Sequence, residues 1–141
     1  MENYQRILVA IDIYSEYDQV LKRALSVVKD ASQLSVVFVT MPTTYFQPYI
    51  GGVGGDYVAD IHKQAKIKLD DIAKKHNIPI NQIFLPIGYA AEEIHILAND
   101  INTDLIVMGT HGRSGLKLLL GSTANSVLHG AKQDVLAVRI T

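Results

Sequence analysis

A chain of 141 residues with 48% hydrophobic and 19% charged side chains buries roughly two thirds of its unfolded surface, enough for one ordinary globular core and too apolar for a disordered polymer. Thirteen basic side chains against fourteen acidic ones leave a net charge of -1, so no cationic field exists to hold nucleic acid or an anionic membrane. The absence of cysteine excludes disulfides, thiolate nucleophiles and sulfur-bearing metal sites.

The polar start, residues 1–6, and the short apolar run behind it do not make a signal peptide, and no run reaches the ~20 apolar residues of a membrane helix. One soluble, cytoplasmic domain over residues 1–141 is expected. Residues 7–11 (Ile-Leu-Val-Ala-Ile) are continuously apolar, which predicts a first strand covered on both faces, as in a parallel sheet. Ser15 is the expected N-cap of a helix in which Val20, Leu21, Ala24, Leu25, Val27 and Val28 recur at helical spacing. Residues 34–40 are β-branched and apolar and predict the second strand, with Pro42 removing a backbone donor just beyond it.

Residues 41–55 carry two prolines and four glycines without any period, and a mobile loop is predicted. Its Tyr45, Phe46 and Tyr49 would suit a lid or a packing surface. From Asp56 to His76 a helix follows, with Lys63, Lys66, Lys68 and Lys74 toward water. Residues 82–87 predict a third strand, placed at a sheet edge by Pro86. A helix over 90–101, a strand over 104–108, a helix over 122–132 and a last strand over 134–140 complete the chain.

Alternating strands and helices predict an α/β fold with a five-stranded parallel sheet, helices on both faces. With the third strand at an edge, the simplest order is 3-2-1-4-5. Such a sheet reverses direction between strands 1 and 4, and ligands bind at that switch point beyond the C-terminal strand ends. Asp12 and Gly109 end those strands.

The segment from Gly109 through Thr110, His111, Gly112 and Arg113 to Gly121, Ser122 and Thr123 leads from a buried strand into a helix start, where unpaired amides hold anions. Glycines there permit close approach of a phosphate, and Arg113 and Lys117 would add charge. The bland alternative is that the glycines make turns and Ser122 caps the helix. Asp12 would accept hydrogen bonds from a ribose diol or coordinate a phosphate-bound metal ion; its bland alternative is a turn residue.

Residues 7–12 with Ser15, the Gly109-Thr110-His111-Gly112-Arg113 run behind its strand, Gly121-Ser122-Thr123 and the strand at 135–138 together resemble the universal stress protein family along essentially the whole chain. The resemblance implies the same 3-2-1-4-5 sheet, a homodimer, and ATP or AMP, with Mg2+ on the phosphates. By position it implies Ala10, Ile11 and Asp12 beside the adenosine, Val39 and Met108 near the adenine, and Gly109, His111, Gly112, Arg113, Gly121, Ser122 and Thr123 around the phosphates. One departure stands out: eight residues lie between Gly112 and Gly121, one fewer than ATP-binding relatives usually carry.

The five histidines show no zinc-helix spacing, and neither a nucleophile elbow nor a P-loop ending is present. No catalytic residue is assigned, and at most slow ATP hydrolysis is expected. An apolar last strand from Val135 to Ile140 would be an exposed edge in a monomer, so a homodimer through it is predicted. Two functional readings follow: a nucleotide-responsive stress regulator with a protein partner still to be named, and a dimeric interaction protein that binds no nucleotide. A transferase of the wider nucleotide-binding superfamily would need a His-x-Gly-His element that the chain lacks.

Overall fold

In the computed structural model, residues 3–40, 54–110 and 121–141 are described, with 54–58 by backbone alone. β1 (Ile7–Ala10) sends Ile7 and Val9 into one apolar cluster and Leu8 into another, which explains its unbroken apolar run. β4 (Leu105–Gly109) does the same, Leu105 and Val107 to the first cluster and Ile106 and Met108 to the second. With β2 (Leu34–Val37), β3 (Ile83–Phe84) and β5 (Asp134–Val138), these strands form one parallel sheet of order β3-β2-β1-β4-β5. The predicted order and the edge position of the third strand are both found.

Helices cover both faces. α1 (Tyr17–Val27), through Val20, Leu21 and Ala24, and α2 (Gly54–Lys75), through Ala65, Leu69 and Ile72, fill the first cluster. α3 (Ala90–Asp100), through Ile94 and Ala98, and α4 (Ser122–Gly130), through Ala124 and Val127, fill the second. Leu8, fully buried in the central strand, contributes on the order of 1.5–3 kcal/mol by leaving water.

Several local expectations are corrected. Ser15 does not cap α1: Glu16 holds the N-cap position without a side-chain bond, while the Ser15 hydroxyl donates to the Asp12 carbonyl at 3.2 Å. Gly54 and Gly55, assigned to the loop, open α2 instead, since a first turn asks little of a side chain. α4 stops at Gly130, short of Lys132, and β5 stops at Val138, short of Ile140.

The third strand is shorter than expected because a 3-10 turn (Ile80–Gln82) takes Gln82. Beyond Phe84 the pairing continues as a bridge between Thr40 and Ile87. Asp104, expected as the first residue of the fourth strand, lies just before it. Its carboxylate accepts from the amides of Gln5 and Arg6, which clamps the entrance of β1. The remainder of the predicted loop, 41–53 with Tyr45, Phe46 and Tyr49, lies outside the described residues.

Candidate functional site

β1 and β4 are neighbours in register, Ala10 opposite Met108, and from them the chain proceeds to opposite sides of the sheet. Their C-terminal ends therefore frame a switch-point crevice. The half-buried Ala10 and Val39 pack with the buried Met108 in the second cluster and give that side of the crevice an apolar wall. Ile11 belongs elsewhere. Its side chain is 7% exposed within the first cluster, so only its backbone remains at the strand end, where the amide donates to the Val37 carbonyl at 3.0 Å.

Asp12 is half-buried and one of its carboxylate oxygens accepts from the Tyr14 amide at 3.0 Å, while its carbonyl accepts from the Ser15 amide at 3.0 Å. This turn fixes the carboxylate at the crevice mouth. Tyr14 in turn packs edge-on against Phe38 at 5.8 Å, and the Lys68 ammonium sits 5.3 Å from its ring centre. The sequence reading missed this Tyr14–Phe38–Lys68 anchor. The position of Tyr14, two residues after Asp12, is the available signal, whereas Lys68 is exposed as expected and reaches the ring from the solvent side.

On the β4 side, the Thr110 amide donates to Val138 and the Thr110 carbonyl accepts from the Gly121 amide at 2.6 Å. That clasp brings the start of α4 to the end of β4, and it means the Gly121 amide is already occupied. The amides that have no acceptor within the helix are those of residues 122–124, at the positive end of the α4 dipole. Gly121 is the N-cap, with φ −63° and ψ 156°, a conformation open to any residue. Ser122 and Thr123 are exposed, and Ser122 is the first helical residue, not the cap.

Gly109 has a packing reason for being glycine. A Cβ there would meet Ile140 Cδ1 at 2.7 Å and Val20 Cγ2 at 3.2 Å. His111, Gly112 and Arg113 lie outside the described residues. Elsewhere, His62, His95 and His129 each set a ring nitrogen against a backbone carbonyl, those of Leu85, Val127 and Asn125. Among the described residues no group of three or more His, Asp or Glu is placed to hold a metal ion. Nor is any described helix long and apolar enough to cross a membrane.

The model of the universal stress protein family matches residues 3–139. Universal stress protein A homolog 2 of Coxiella burnetii is 39% identical over 99% of this chain and 98% of its own. Among solved structures, MJ0577 of Methanocaldococcus jannaschii superposes with a TM-score of 0.78 at 22% identity, covering 97% of both chains. A universal stress protein in complex with cAMP superposes with a TM-score of 0.59 at 23% identity, covering 99% of this chain and 100% of that one.

Proposed function

This chain belongs to the universal stress protein family, and from that premise we propose that it is a stress-response regulator that binds ATP or AMP in the crevice between β1 and β4. The observation that carries the reading is the meeting of unlike groups at one place. A carboxylate held by its own turn, an apolar wall, and a helix start clasped to the neighbouring strand are what ribose, adenine and phosphate respectively require. Ala10, Val39 and Met108 would face the base, with Ile11 contributing its backbone. Asp12 would take the ribose diol, and residues 122–124 the phosphates, with Gly121 framing them and Gly109 seating the end of β4 against the first cluster. His111, Gly112 and Arg113 would complete the phosphate side. Mg2+ would enter on the phosphates, since that ion favours phosphate oxygens and water over a protein cage. That a universal stress protein of this fold has been solved with cAMP supports an adenine nucleotide as the ligand class.

Asp12 gives the reading a direct test by calorimetric titration. ATP should bind the wild type about tenfold more tightly than an analogue lacking both ribose hydroxyls, and Asp12→Ala should bind the two alike. Equal binding of the two ligands by the wild type would remove Asp12 from the ribose.

A homodimer through the last strand belongs to the same proposal. β5 is an edge strand, and pairing with a second copy would cover its open backbone groups. Sedimentation should give a dimer at micromolar protein, and Ala137→Pro, which removes an N–H from the open edge of β5, should shift it to monomer; a monomeric wild type would discard the interface. One observation favours the alternative of an interaction protein that binds no nucleotide: the Gly121 amide is spent on Thr110, in a loop one residue short of the usual spacing.

A further inference from the structure

At the opposite end of the sheet, where the strands begin, the structure carries a cavity of about 330 Å³ that plays no part in the crevice. It opens between β1, the 3-10 turns at Ala31–Gln33 and Ile80–Gln82, and the turn after α3, with Ile7 and Ile101 as its apolar wall. The rest of the lining is polar: Gln5, Arg6, Ser32, Gln33, Ser35, Gln82 and Thr103. We infer that this cavity is a binding site for a small carboxylate, held by the Arg6 guanidinium.

Three observations point there. Arg6 supplies the lining's one formal charge, and its guanidinium forms no ion pair among the described residues. Its backbone is meanwhile fixed by Asp104, whose carboxylate accepts from the Arg6 amide and whose own amide donates to the Arg6 carbonyl. Thr103 is 7% exposed, and its hydroxyl, which has no hydrogen-bond partner among the described residues, lies just beneath the lining, where a rotation of the side chain would present it to an occupant. The glutamine amides are partly committed, Gln82 donating to the carbonyls of Ser32 and Leu34 and Gln33 accepting from the amides of Lys29 and Asp30. They therefore build a fixed wall and not a collapsible one.

The charge count selects the ligand. A single planar guanidinium matches a single carboxylate with two parallel bonds, whereas a phosphate dianion needs more charge or a row of amides, and none of the described α-helices begins here. The volume, about ten waters' worth of liquid, has room for a small organic acid.

Titration of the full-length, 15N-labelled chain with succinate at constant ionic strength tests the site. Saturable shifts of the Gln5, Arg6, Ser35 and Thr103 amides are expected at millimolar ligand, about tenfold weaker in Arg6→Gln and several-fold weaker in Thr103→Val. Gly121→Val should leave them unchanged, which separates this site from the nucleotide crevice. Saturation by inorganic phosphate but not by succinate overturns the carboxylate assignment. Absence of saturable shifts with both probes, or undiminished succinate binding by Arg6→Gln, overturns the site.

Discussion

Gly121→Val should fold almost as well as the wild type and bind ATP-Mg about a hundredfold more weakly. The backbone at Gly121, φ −63° and ψ 156°, lies where valine is comfortable, and its amide bond to Thr110 does not involve the side chain. Replacing an N-cap glycine by a β-branched residue costs about 1 kcal/mol at most, a shift of a few degrees in Tm. Two methyl groups at the head of α4, however, would stand where a phosphate must come to reach the amides of residues 122–124. Each charge-assisted bond lost is worth about 1.5–3 kcal/mol, so losing one or two accounts for the factor. Unchanged affinity in a folded Gly121→Val protein would place the phosphates away from the α4 start.

Gly109→Ala should do the reverse, lowering stability by about 1–3 kcal/mol while leaving the affinity of the folded protein near the wild-type value. The added methyl would press on Ile140 Cδ1 and Val20 Cγ2, both in the first apolar cluster and neither beside the proposed phosphate position. Removing Cδ1 with Ile140→Val should return part of the lost stability, a non-additivity visible in a chemical-denaturation cycle. Full stability in Gly109→Ala, or additive losses, would mean the glycine is not there for packing. Two glycines of one motif thus separate into different tasks, one making room inside the fold and the other at its surface.

That separation marks where sequence reading ends. The sheet order was legible because its causes are local: strands buried on both faces are continuously apolar, and Pro86 marks an edge. The crevice was legible because topology alone brings Asp12 and Gly109 together. Neighbours supplied by distant chain were not legible. Nothing near Gly109 announces Ile140, and nothing near Lys68 announces the ring of Tyr14. Ile11 is the instructive mixed case, adjacent to Ala10 in sequence yet on the opposite face, because a strand turns successive side chains to opposite sides.

Ser15 was misread for a related reason. A serine ahead of an apolar helical run is a frequent N-cap, but here its hydroxyl bonds back to Asp12 and tightens the turn that holds the proposed ribose ligand. The helix loses a cap and the site gains rigidity. Similarly, Asp104 begins no strand because its carboxylate serves the amides of Gln5 and Arg6, 99 and 98 residues away in the chain.

The central claim is that the crevice holds an adenine nucleotide, and the most direct measurement is to denature freshly purified protein, identify any released nucleotide by chromatography, and titrate ATP-Mg into the emptied protein. Adenine nucleotide retained through purification, or saturable rebinding that Gly121→Val weakens about a hundredfold, is the predicted result. No nucleotide released and no binding up to millimolar ATP-Mg would contradict the claim and leave a protein of this family that acts through its surfaces alone.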